Sequence, residues 1–137
     1  MTYLDKVLLL QKKALRVIFN VPFRAHTNEL FIDNNILKIQ DLYSYQLGQF
    51  MYNFNIGNQP DVFKNMFIKN STIHCYQTRN SDAYHLPQIR THLAKSNITF
   101  SGPKFWNNLN MLIKDSPSLN QLKFKLKQHL LSSYLID

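Results

Sequence analysis

One cysteine, three glycines and eight acidic residues are the scarcities of this 137-residue chain. With Cys75 alone, no internal disulfide can form. That excludes a disulfide-stapled secreted scaffold and fits a reducing intracellular setting. So few glycines, with five prolines, exclude a collagen-like or loop-rich fold. No run approaches the roughly 18 consecutive apolar residues of a membrane span. The early run Val7 to Leu10 is bracketed by Asp5, Lys6 and the Lys12-Lys13 pair. It is too short for the apolar centre of a signal peptide. The expected setting is nuclear or cytoplasmic, with no membrane partner.

Catalytic chemistry is equally sparse. Asp5, Glu29, Asp33, Asp41, Asp61, Asp82, Asp115 and Asp137 are scattered along the chain. No close aspartate pair stands ready to hold two metal ions for nucleotidyl transfer, and no glycine loop cradles a phosphate. His74, Cys75, His85 and His92 share one polar stretch. Adjacent His74-Cys75 is poor geometry for chelating one zinc, and no paired-cysteine motif accompanies it. A nucleophilic Cys75 activated by a histidine has only this chance proximity behind it. These four read as ordinary loop residues, so no catalytic residue, metal or cofactor is expected.

What the chain does have is apolar and aromatic content, 45% and 13%, enough for a core. At this length a domain buries about two thirds of its unfolded surface. Leu4 to Phe19 reads as a helix with Leu4, Val7, Leu8, Ala14, Leu15 and Ile18 on its buried face. Asn20 and Pro22 end it. Thr27 is the expected N-cap of a short helix through Leu30 and Phe31, broken by Asn34 and Asn35. Ile39 to Ile56 is the clearest helix, with Gly48 allowing a close contact and Gly57 stopping it. Asp61 to Ile68 continues a helical pattern. Asn70 to Asn97 turns polar; Ala83 to Leu86 and Ile98 to Phe100 are expected to form a short strand pair. Gly102-Pro103 predicts a turn, followed by a short helix through Phe105, Trp106 and Leu109. Pro117-Ser118 starts a final helix to Tyr134, striped by Leu119, Leu122, Leu126 and Leu130. The fold class is therefore mainly α: one small helical domain over 1–137 with one short β-hairpin in its middle. Its parts are 1–20, 21–69, the polar segment 70–101 and the closing helices 102–137.

Charge gives the functional direction. Sixteen Lys and Arg leave a net +8 and a pI near 9.7. Such a surplus attracts polyanions. Lys12, Lys13, Arg16 and Arg24 cluster early. Tyr76, Arg79, Tyr84, Arg90, His92, Lys95 and Lys104 populate the middle, and Lys123, Lys125 and Lys127 flank the last apolar stripe. Lysine and arginine neutralise phosphates, and exposed aromatics stack on bases. The candidate nucleic-acid-binding residues are Lys12, Lys13, Arg16, Arg24, Arg79, Arg90 and Lys104. Arg79 is favoured for its bidentate fork. The competing reading of each is the solvated rim of an amphipathic helix, with Phe105 and Trp106 in the core.

Four stretches in order carry a resemblance. They are Leu4-Asp5-Lys6 with Leu10-Gln11-Lys12-Lys13-Ala14-Leu15-Arg16-Val17-Ile18 and Arg24-Ala25-His26-Thr27; Ile36-Leu37-Lys38 with Asp41-Leu42-Tyr43 and Gln46-Leu47; His74 and Tyr76 with Thr78-Arg79; and Gly102-Pro103-Lys104 with Trp106-Asn107 before the lysine-rich last helix. Over nearly its whole length the chain resembles the region after the polymerase domain of LINE-type, non-LTR retrotransposon reverse transcriptases, jockey-like elements above all. The resemblance implies that 1–20 is thumb-like and that the rest is the C-terminal helical segment. It further implies a role in target-primed reverse transcription, holding template RNA or target DNA, with the polymerase domain of a related element as a second partner. The paired-aspartate motif, fingers, palm, endonuclease and zinc knuckle of the family are missing, so its activity does not carry over. Met1 is then expected to be an internal methionine of a longer, 5′-truncated frame. The alternatives are a remnant that only packs on a polymerase domain and, least supported by the residues, an independent enzyme.

Overall fold

Three asparagine or glycine stops shape the first half of the chain. In the computed structural model, which describes residues 3–73 and 78–135, α1 spans Tyr3–Ile18, α2 Asn28–Asp33 and α3 Ile39–Asn55. Asn20, Asn35 and Gly57 all adopt positive φ, at 50°, 54° and 73°. The N–H after each reaches back to a carbonyl five residues earlier: Val21 to Arg16 at 3.0 Å, Ile36 to Phe31 at 2.8 Å and Asn58 to Asn53 at 2.8 Å. These are Schellman ends, which satisfy last-turn carbonyls through a residue that tolerates the left-handed region. The short α4 (Asn70–Ile73), α5 (His92–Lys95) and α7 (Met111–Lys114), with α6 (Ile98–Asn108) and α8 (Leu119–Ser132), complete a mainly helical chain. Among the described residues no helix is long and apolar enough to cross a membrane.

The chain packs as two compact units. One comprises Met1–Gln46 and Lys123–Asp137; the other comprises Leu47–Leu122. The first is organised around buried Leu15, Phe31, Leu37, Leu131 and Tyr134. Phe31 and Tyr134 meet edge to face at 6.2 Å. Polar clamps hold the same core. The Gln11 amide donates to the Leu37 carbonyl at 2.9 Å and accepts from Ile39 N–H at 3.1 Å. The Tyr134 hydroxyl accepts from Lys38 N–H at 3.0 Å and donates to the Asp41 carboxylate. The Asn28 side chain donates to the Tyr134 carbonyl at 3.2 Å.

The second unit is aromatic. Phe50, Phe54, Phe63, Phe67 and Tyr84 pack edge to face, the closest pair being Phe54 and Phe67 at 4.8 Å. Each such pair adds to simple area burial. Gly102 lies against this cluster: a Cβ there would stand 2.9 Å from Met51 Sδ and 3.3 Å from the Phe67 ring. Tyr84 is buried, and its backbone is read by the Asn107 side chain, which accepts from Tyr84 N–H at 3.0 Å and donates to its carbonyl at 2.8 Å.

Several expectations shift. On α1 only Leu15 is buried and Leu8 packs on the core, whereas Leu4, Val7, Ala14 and Ile18 are exposed. Four consecutive apolar residues at Val7 to Leu10 cover the whole helix circumference, so periodicity does not select a face. Ile98 to Phe100 is helical, not a strand. Asn97 caps α6 by accepting from Thr99 N–H at 3.1 Å, so α6 begins five residues before Pro103 and runs through the Gly102-Pro103 pair read as a turn. The close approach that Gly102 permits explains a glycine inside a helix. Ala83 to His85 does pair, but with the 68–70 segment: Lys69 and Tyr84 form an isolated antiparallel bridge, flanked by His85 N–H to Ile68 at 2.7 Å. Of the expected helix at Asp61 to Ile68, only the 3-10 turn Asp61–Phe63 forms. Thr27 occupies the N-cap position, but its side chain caps nothing. Ser118 does start α8, accepting from Gln121 N–H at 3.3 Å, and Leu122 and Leu126 are wholly buried as the stripe predicts.

Candidate nucleic-acid interface

The end of α1 turns back on itself. Ala25 N–H donates to the Pro22 carbonyl at 2.9 Å, closing a tight turn. Arg16 Nε donates to the Ala25 carbonyl at 3.1 Å and stitches that turn to the last turn of the helix. Lys12 and Arg16, four residues apart, share one helix face. Arg24 and His26 are thereby brought beside them. Lys38 joins from another direction, because Gln11 fixes the backbone on either side of it. Its ammonium sits 4.0 Å from the centre of the Tyr134 ring. The result is a cleft of about 430 Å³ lined by Lys12, Arg16, Arg24, His26, Thr27 and Lys38 among others.

Its electrostatics are one-sided. Among the described residues, Lys12, Arg16, Arg24 and Lys38 make no ion pair with a carboxylate, unlike exposed Lys64, which pairs with Asp61 at 2.7 Å. Lys12, Arg16 and Lys38 bury part of their stems while the charged ends line the cleft. Like charges gathered with no carboxylate in the lining repel, and a polyanion bound in the cleft would reverse that cost. The Tyr134 phenol behind Lys38 is held well above its ordinary pKa by burial and by its bond to Asp41, so it remains a neutral donor.

Of the seven expected residues, the structure brings Lys12, Arg16 and Arg24 together. Lys13 is exposed and outside the cleft. Arg79 lines a different cleft, about 490 Å³, within the Leu47–Leu122 unit; Lys69 and Lys114 are there, but so are Asp82 and Asp115. In that cleft burial lowers the Lys114 pKa, opposed by Asp115, and its ammonium donates to the Asn107 carbonyl at 3.2 Å. Arg90 and Lys104 are exposed and line neither cleft, with Lys104 lying 5.8 Å from the Phe100 ring centre. Trp106 and Tyr84 are buried, which removes them as base platforms. His74, Cys75 and Tyr76 lie outside the described residues, and among the described ones no three His, Cys, Asp or Glu come together as a metal site.

Lys38 and His26 were not among the expected residues. Nothing local in the sequence links Lys38 to Lys12; the link runs through Gln11 and the Tyr134 ring, 96 residues away along the chain. His26 is legible only within the Arg24-Ala25-His26-Thr27 stretch. No family model, curated protein or solved structure matches this chain.

Proposed function

We propose that the chain is the non-catalytic C-terminal segment of a retrotransposon RNA-directed DNA polymerase, and that it grips the phosphate backbone of template RNA or target DNA without reading sequence. One observation carries the binding half of this reading: Lys12, Arg16, Arg24 and Lys38 converge on one cleft with no carboxylate partner among the described residues. The ordered stretches that resemble jockey-like elements support the family half. The scattered carboxylates support a chain that polymerises nothing by itself.

Fluorescence anisotropy with labelled single-stranded RNA and duplex DNA, at low and near-physiological salt, tests it. Four phosphate contacts give a log–log salt slope of about −3 to −4, a loss of roughly fifty- to 150-fold between about 50 and 200 mM salt. A folded sample that binds neither nucleic acid at low salt would overturn the proposal.

A second reading has its own observation. Tyr3, Leu4, Leu10, Val17 and Ile18 on α1 are all more than half exposed, Tyr3 at 86%. Apolar surface of this kind on a thumb-like helix suits a module that packs on a polymerase domain. Concentration-dependent self-association, with no binding to nucleic acid, would favour it.

A further inference from the structure

Beside the basic cleft stands an aromatic ring that the phosphate-binding reading does not use. Phe23 is 73% exposed. It sits in the turn between Pro22 and Ala25, next in sequence to the cleft residue Arg24. Its ring centre lies 5.9 Å from the guanidinium carbon of Arg16, which also lines the cleft. The backbone beneath it is fixed on both sides, by Ala25 N–H on the Pro22 carbonyl and by Arg16 Nε on the Ala25 carbonyl. The ring is left facing solvent, against Arg16 and next in the chain to Arg24, two of the cations that line the cleft.

We infer that the cleft takes single-stranded nucleic acid in preference to duplex, with a phosphate among Lys12, Arg16, Arg24 and Lys38 and the adjoining base stacked on Phe23. The inference rests on the phosphate-binding reading and adds to it a strand state and a contact. In a duplex the base faces are covered by neighbouring pairs, so an exposed ring has nothing to stack on. A single strand offers a π-face at every nucleotide. Shape points the same way. A rigid duplex meets a concave cleft only at its rim, whereas a single strand bends into it. Arg16 serves both halves of the contact: its Nε is committed to Ala25, leaving the terminal amino groups for phosphate, while its plane lies near the ring that receives the base. Neither stacking nor phosphate contact depends on the 2′-hydroxyl, so RNA and DNA single strands bind alike.

The test titrates the full chain into fluorescein-labelled oligo-rU, oligo-dT and a mixed-sequence duplex of equal length, using the natural protein, F23A, F23W and R16E/R24E. The natural protein is expected to bind both single strands about tenfold more tightly than duplex at one salt concentration, a modest value for one base–aromatic stack. F23A removes that preference and leaves duplex affinity and the salt slope unchanged. F23W keeps it. R16E/R24E loses single strand and duplex together. Equal affinity of the natural protein for single strand and duplex, or an F23A protein that keeps the preference, overturns the inference while the phosphate-binding reading stands. Marked discrimination between rU and dT also overturns it. Absence of all binding at low salt overturns both.

Discussion

The two compact units carry the same net charge and use it differently. Met1–Gln46 with Lys123–Asp137 holds nine Lys and Arg against five Asp and Glu; Leu47–Leu122 holds seven against three, so each is +4. In the first, Lys12, Arg16, Arg24 and Lys38 gather in a cleft without carboxylates in its lining. In the second, Lys69, Arg79 and Lys114 share their cleft with Asp82 and Asp115. Equal net charge therefore does not make the two clefts alike; the placement of the few carboxylates leaves one unbalanced and the other not. The cores differ in a parallel way. The first has one aromatic edge contact beside the polar clamps from Gln11 and Tyr134, whereas the second gathers five rings edge to face and adds the Asn107 clamp on Tyr84.

Charge reversal breaks this comparison most sharply. R16E/R24E is expected to weaken binding of single-stranded RNA a hundredfold or more near physiological salt, and to flatten the salt slope by about two. R79E, in the cleft already balanced by two carboxylates, is expected to weaken it less than threefold. Anisotropy on the same oligonucleotide reads both. Equal losses from the two variants would mean that the carboxylates in the second cleft do not matter and that the basic surface acts as a whole.

The packing half of the comparison is tested at Gly102. A valine there drives its Cβ to within 2.9 Å of the wholly buried Met51 sulfur and 3.3 Å of the Phe67 ring, so one of them must shift. G102V is expected to cost about 1–3 kcal/mol in urea unfolding, as overpacking of a tight core does. The gain in helix propensity over glycine, about half a kcal/mol, is too small to offset it. A neutral or stabilising result would show that the Met51 side chain swings aside without loss.

How much of this was legible in the chain follows from which forces are local. The ends of α1, α2 and α3 were, because Asn20, Asn35 and Gly57 carry their backbone preference with them. The start of α8 at Ser118 and its buried Leu122 and Leu126 were legible for the same reason, cap chemistry and periodicity acting over a few residues. The course of α6 was not. Gly102-Pro103 is a turn signal in isolation, and only the approach to Met51 and Phe67 shows why the helix runs through it. The buried face of α1 is not legible, because apolar residues surround the helix on all sides and only Leu15 and Leu8 turn to the core. In the candidate site, Lys12, Arg16 and Arg24 were found as a cluster in sequence that stays a cluster in space. For Arg79, Arg90 and Lys104 the sequence offers charge, and for Arg79 a bidentate fork, but neither says which carboxylates fold in nearby or which cleft a residue lines. Lys38 needed a tertiary contact to the far end of the chain.

That contact supports the mildest prediction. The Tyr134 hydroxyl donates to Asp41 and accepts from Lys38 N–H at 3.0 Å, while its ring lies 4.0 Å from the Lys38 ammonium. Y134F removes the first two interactions and keeps the third. The expected cost is about 1–2 kcal/mol in urea unfolding, since one bond is charge-assisted but water reaches the half-buried partners. RNA affinity is expected to change less than twofold. Gln11 still clamps the Leu37 carbonyl and Ile39 N–H, so the Lys38 backbone stays in register, and a phenylalanine face still receives its ammonium. Y134L keeps the apolar bulk but loses the ring face, and is expected to weaken binding where Y134F does not. If both weaken it equally, the hydroxyl rather than the ring positions Lys38. The polar clamp would then belong to the binding cleft as much as to the core.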